Sequence, residues 1–253
     1  MKLDEIERLV GDDFELVKSA AVERPQFIHK RSEMLFQYVP GGTYSMGFSE
    51  AEEAAARALS PVLQLNVDEM RPAKLRAVEA LLVAAMPVLN RHVSGAEESD
   101  RNRPAYMSRS EAIDTAKKFG CRLPVEVEWE YLYRAGTNTL FPFGDQLPSD
   151  YELEPWLSTD FRNLEALHRS AFGLYGMTSP EWCEERFATS LKSDAPPLDG
   201  SFAIRGGGAY FWPWQDQEWV WCISAMRSPS SGLEDGKACV RLVRDVGHAG
   251  RSN

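Results

Sequence analysis

Four cysteines, at 121, 183, 222 and 239, and four histidines, at 29, 92, 168 and 248, are the residues of this chain best suited to hold a soft metal or attack a substrate. Neither set is spaced for it. No C-x-x-C pair occurs, so neither a zinc knuckle nor a dense disulfide framework is expected, and the thiols read as free. The histidines are widely separated and read as ordinary core or surface residues. Glu181, Trp182, Cys183, Glu184 and Glu185 place one thiol among carboxylates, the reverse of the positive surroundings that favour a thiolate, so Cys183 reads as inert. Ser224 and Ser228 lack the strand-turn-helix context of a nucleophile elbow. No catalytic residue and no metal ligand is assigned from the sequence.

The strongest local signal is aromatic. YFWPWQDQEWVW at 210–221 sets four tryptophans, a tyrosine and a phenylalanine beside two acids. Rigid aromatics interleaved with acids and amides are what a peptide or small-ligand surface uses. Tyr210, Trp212, Trp214, Asp216, Glu218, Trp219 and, further on, Arg227 form the candidate ligand groove. Plain core packing is the competing reading of the same residues, and the sequence leaves both open.

The elements that must position this stretch are legible in part. Leu3, Ile6, Leu9, Val10, Leu16 and Val17 recur every three or four residues, which predicts an amphipathic helix broken near Gly11 and a helical extension over residues 1–35. MLFQYVPGGTYSMGFS predicts a strand, a turn at Pro40-Gly41-Gly42 and a second strand, as a hairpin. Ser49 with Glu52, and Ser108 with Glu111, are capping boxes that open helices. The first opens an Ala-rich helical insertion near 49–85; the second helix ends at Gly120. Pro124 starts a helix over VEVEWEYLYRAG that Gly136 terminates. Residues 137–201 show no sustained period and are expected to be mostly irregular, and SFAIRGGGAYFW and ACVRLVRDV read as strands.

Composition bounds the function. The chain has 253 residues, 43% of them hydrophobic, and a net charge of −10, with no basic stretch that could follow a phosphate backbone. Nucleic acid is therefore not an expected partner. The start, MKLDEIERLV, lacks the basic and apolar regions of a signal peptide, and the most apolar run, 77–88, is too short to span a bilayer. A cytoplasmic, membrane-free protein is the expectation.

Taken in order, FQYVPGGTYSMG, AMPVLN at 85–90, CRLPVEVEWEYLYRAG at 121–136, FPFGD at 141–145, AFGLYGM at 171–177, IRGGGAY at 204–210 and VRLVR at 240–244 resemble the formylglycine-generating enzyme, or sulfatase-modifying factor, family. The resemblance implies an α+β fold, a decorated C-type-lectin-like architecture of short antiparallel sheets and much irregular chain, over residues 36–253. In founding members two cysteines bind copper(I) and use dioxygen to turn a substrate cysteine into formylglycine. The positions that match those cysteines here, just past Arg205-Gly206-Gly207-Gly208-Ala209, are Phe211 and Asp216, and no cysteine lies between Cys183 and Cys222. Copper chemistry is thus not expected. A family calcium site also loses ligands, since Ser170, Gly176 and Ser179-Pro180 replace the family's Asn, Asp and Gly-Asn. The H-x3-H-x-E motif of the related iron-binding sulfoxide synthases is missing as well.

These readings leave a leading function and two alternatives. The leading one is a family member that binds a peptide or small ligand in an aromatic, acidic groove without oxidising cysteine. The alternatives are a metal-dependent oxidoreductase with a rebuilt site, and a protein-interaction or sensory module linked to an effector.

Overall fold

In the computed structural model, which describes residues 3–17, 24–93, 97–232 and 238–246, the N-terminal segment is only partly helical. Helix α1 (Leu3–Val10) is followed by strands β1 (Phe14–Leu16) and β2 (Gln26–His29). Gly11, at φ +77°, ends the helix. Beyond it, Phe14 is buried and Glu15 exposed, so Leu16, which extends the helical period in the sequence, belongs to a strand. The segment thereby joins the main sheet rather than merely lying on it.

The Pro40 turn also behaves differently from a hairpin. Strand β3 (Leu35–Val39) and strand β4 (Gly42–Met46) flank it as expected, but they do not pair with each other. The turn carries the chain out of one sheet and into another. Only glycine fits there: a Cβ on Gly41 would stand 2.6 Å from the Val78 carbonyl oxygen.

After α2 (Glu50–Leu59), opened by the expected Ser49–Glu52 box, come β5 (Lys74–Val78) and β6 (Leu81–Ala84). The segment 49–85, expected to be a helical insertion, therefore holds one α-helix and two strands. All four residues of β6 are buried, the mark of a strand covered on both faces, which periodicity cannot tell from a helix. Helices α3 (Arg109–Lys118), α4 (Glu126–Arg134) and α5 (Asp150–Leu157) precede strands β7 (Glu181–Ala188), β8 (Pro197–Arg205), β9 (Arg227–Ser230) and β10 (Val243–Asp245). Helix α5, β7 and the start of β8 fall inside the span expected to be irregular. Of ACVRLVRDV, only Val243–Asp245 forms a regular strand.

The strands make three antiparallel sheets: β1-β2-β3-β6-β10, β4-β5 and β7-β8-β9. Helices α1 and α3 press Ile6, Val10, Ala112 and Ala116 onto the first, with Phe27, Phe36 and Leu82. A second cluster gathers Trp129 and Leu132 of α4 with Met46, Val83 and Phe187, and a third gathers Phe48, Leu140, Phe141, Leu153, Leu157, Trp219 and Ile223.

Helix α4 is the ionic hub of these layers. Glu130, fully buried, accepts from Arg134 Nε at 2.9 Å, Arg205 Nη2 at 2.6 Å and the Gly47 amide at 2.8 Å. Arg134 in turn reaches Glu52 at 2.9 Å. Buried charges persist only when so paired. The charged residues of this block hold its neighbours in place, Glu130 holding β8 through Arg205 and Arg134 holding α2 through Glu52. Among the described residues no helix is long and apolar enough to cross a membrane.

Candidate functional site

The aromatic stretch begins where β8 runs into Gly206-Gly207-Gly208. A Cβ on Gly208 would sit 2.0 Å from Cys222 Sγ, so this glycine lets the outgoing strand lie directly on the short 3-10 helix Glu218–Cys222. Between these two points the chain loops out and is tied back. Trp214 Nε1 donates to the Gly208 carbonyl at 2.8 Å, and the Gln215 amide donates to Glu218 at 2.7 Å. Gln217 staples the loop to its neighbour, donating to Val62 O at 2.8 Å and accepting from the Gln64 amide at 3.0 Å. Asp216 turns the tip at φ +47°.

This anchoring separates the predicted residues into four groups. Trp219 is core, 5% exposed and edge-on to Phe141. Trp212 and Trp214 pack edge to face, 5.1 Å apart, along the margin of that core. Tyr210, 66% exposed, and Asp216 and Glu218 form the outer group, the two acids lining an open depression of about 830 Å³ together with Gln64, Gln215, Gln217, Val220 and Trp221. Arg227 belongs to none of these. It is buried and clamps Glu126, with Nε 3.1 Å from Oε1, and it lines a different cavity.

Three residues outside the predicted set complete a surface. Tyr106, Tyr210, Phe211 and Trp221 follow one another as neighbouring rings, with centroids 6.2, 5.2 and 5.3 Å apart, the last pair stacked. Trp221 also lines the acidic depression, so strip and depression are continuous. Phe211 and Trp221 stand within the flagged stretch, but Tyr106 comes from a segment before α3 that carries no sequence signal.

The histidines and thiols do not converge. His29 packs among Phe14, Phe36 and Phe119, while His168 stacks on Trp156 with ring centroids 3.2 Å apart. His248 lies outside the described residues. Cys183, Cys222 and Cys239 are fully buried, and burial raises all three thiols; Cys121 is pushed up to about 12 for the same reason. Glu181 is structural: it pairs with Arg241 at 2.8 Å and accepts from Trp129. Among the described residues, no group of three or more His, Cys, Asp or Glu stands ready to hold a metal ion.

The profile of the sulfatase-modifying factor enzyme 1-like domain matches residues 25–246. The chain belongs to that family. It is 27% identical over 146 residues to the formylglycine-generating enzyme of Bos taurus, covering 47% of this chain and 39% of that enzyme, so it spans well under half the length of this relative. Its fold is similar to that of PvdO from Pseudomonas aeruginosa, with TM-score 0.62 and 16% identity over 85% of this chain and 96% of that one. It is also similar to Treponema denticola variable protein 1, with TM-score 0.57 and 14% identity over 92% and 99% of the two chains. These likenesses bear out the α+β expectation.

The residues present do not fit the metals that the family resemblance implies. A copper(I) pair needs two thiolates, and the matching positions hold a half-buried phenyl ring and an exposed carboxylate. The calcium region is closed by the protein itself. A Cβ on Gly176, where the family has Asp, would stand 2.4 Å from the Phe161 ring, the Ser170 hydroxyl accepts from the Leu174 amide, and the Pro180 carbonyl accepts from the Cys239 amide.

Proposed function

We propose that this chain is a sulfatase-modifying-factor-family protein that binds a peptide or small ligand on its aromatic strip and acidic depression, without copper-dependent oxidation of cysteine. One observation carries this reading: Tyr106, Tyr210, Phe211 and Trp221 form a continuous run of neighbouring rings, the first two exposed and the last two half-buried, that leads from the core margin onto the surface.

The physical logic is that of a binding face. Aromatic rings offer large apolar area with few rotatable bonds, so little conformational entropy is lost when a ligand covers them. The loop beneath is held by Trp214, Gln217 and the Gly208–Cys222 contact, which lowers the ordering cost further. Asp216 and Glu218 beside Trp221 favour a ligand with a cationic or hydrogen-bond-donating group next to an apolar one. Among the described residues this face supplies no nucleophile with a base in reach, and its aromatic and acidic groups support recognition.

The test is a peptide-display screen on the intact chain, followed by titration of the selected peptides against Tyr210→Ala and Trp221→Ala. Selected peptides rich in Lys or Arg beside an aromatic or aliphatic residue, with affinity lost in both variants, are expected. Unchanged affinity in both would overturn the reading.

A further inference from the structure

A second concavity shares no lining residue with the aromatic face. It holds about 580 Å³, within the range of small-molecule sites, and lies between β5, the start of α4, the end of β7 and the turn near 190–195. Its charges are unusual in both signs.

On one side stands Glu185. Both of its carboxylate oxygens accept from the Glu126 amide, at 3.0 and 2.9 Å, and among the described residues no cation lies within 4 Å of them. The adjacent cation, Arg227, is already committed to the Glu126 carboxylate and to the carbonyls of Glu69 and Ala188. Burial, then the negative charge of Glu126, raises the Glu185 carboxyl from its ordinary 4.5 to about 7.

On the other side stand Lys74, Arg76 and Lys192. Among the described residues none of the three has an acidic partner within 4 Å; Lys74 donates only to the Leu191 carbonyl. Burial and the charge of Arg76 lower the Lys74 amine. An acid disfavoured as an anion thus shares one cavity with an amine disfavoured as a cation. Each unfavourable state would be relieved by a group of the opposite sign. Between them the wall is aliphatic, from Met46, Val127, Ala188 and Leu191.

We infer that this cavity binds a small zwitterion of the amino-acid or short-peptide class, its ammonium against Glu185, its carboxylate against Lys74, Arg76 and Lys192, and its side chain on the aliphatic wall. The shared chemistry is a free α-ammonium and a free α-carboxylate; leucine and a dipeptide such as Ala-Leu differ only in how much of the cavity they fill.

Titration calorimetry on the full chain with Ala-Leu, leucine, N-acetyl-Ala-Leu and Ala-Leu amide tests this. At least one free zwitterion is expected to bind, with the tighter of Ala-Leu and leucine identifying the source, and each cap is expected to weaken binding at least about tenfold. Glu185→Gln, nearly isosteric, is expected to abolish the preference for the free ammonium, and Lys74→Met combined with Lys192→Met the preference for the free carboxylate. Binding at pH 7 should also release protons, seen as a heat that changes with the buffer's ionisation enthalpy, because the ammonium drives Glu185 to its charged form against Glu126 and Glu128, with Arg109 nearby. Should Glu185→Gln fail to fold, the capped ligands and proton release on the parent chain still decide. Failure of both free zwitterions to bind at millimolar concentration, or equal affinity for capped and free forms, would overturn the inference. Neither outcome touches the aromatic strip, whose peptides are titrated separately.

Discussion

The indole Nε1–H of Trp129 donates to the Glu181 carboxylate over 2.8 Å, and both residues are wholly buried. This bond ties α4 to β7, and Arg241 closes the arrangement by pairing with the same carboxylate and donating to the carbonyls of Ala84 and Tyr175. Helix, strand and C-terminal segment therefore meet on one acid.

Removing that acid should be costly. Glu181→Ala strands the Arg241 charge in the interior and is expected to destabilise the fold by about 3–5 kcal/mol. The double change Glu181→Leu with Arg241→Met is expected to recover much of this loss. Urea titrations of the three chains provide the measurement.

The tryptophan-rich stretch should divide into structural and surface residues. Trp219→Ala is expected to cost about 3–5 kcal/mol, as for other buried aromatics. Tyr210→Ala, at an exposed position, is expected to leave the melting temperature within a degree or so. Thermal melts separate the two.

Acid should loosen the N-terminal attachment. His29 is buried among rings, and burial lowers its pKa despite Asp13, with Arg31 and Arg244 adding to the depression. The unfolded chain therefore takes up the proton first. The stabilising contribution of neutral His29 is complete above the ordinary 6.5 and is lost as pH falls toward the folded value. His92 and His168, lowered to about 4, act in the same direction over pH 6.5 to 4. His29→Phe should flatten part of that slope in urea midpoints collected across this range.

Glu185 should give a slope of the opposite sign. Its folded pKa, about 7, exceeds its ordinary 4.5, so the folded chain keeps a proton that the unfolded chain has released. Stability falls as pH rises from 4.5 to 7, and Glu185→Gln should recover about 1–2 kcal/mol at pH 8, allowing for solvent screening at a partly exposed site. No gain at pH 8 would contradict the assignment.

Restoring the family's acid should not restore calcium. Gly176 sits at φ +64° against Phe161, so Gly176→Asp meets both backbone strain and a clash, at an expected cost of about 1–3 kcal/mol. Excess calcium should leave its melting temperature unchanged. Phe161→Ala in the same chain should relieve the clash.

How much of this was legible depends on the range of the interaction. The boxes at Ser49 and Ser108 and the termination at Gly120 are local and were read correctly. The sequence places the Pro40 turn, yet its strands belong to different sheets, because β3 pairs with β2 before it and β6 well beyond it, and β4 pairs with β5. Strand β7 was missed because EWCEERFA is buried on both sides at its start and alternates only later. The candidate site shows the same limit. Aromatic content marks 210–221, but nothing local distinguishes core Trp219 from half-buried Trp221, brings in Tyr106, or reveals that Arg227 serves Glu126.

Strand β10 occupies an edge of the main sheet, with β6 as its partner, about 160 residues away in sequence. Closing so large a loop has a high entropic cost before any contact is gained, so β3 and β6 must wait, one flank uncovered, for the far end of the domain. On a ribosome that interval is the time of translating about two-thirds of the chain, during which Leu81–Ala84 offers an unpaired apolar edge. The open edge of β6 thus has a lifetime set by the speed of elongation rather than by the stability of the finished fold.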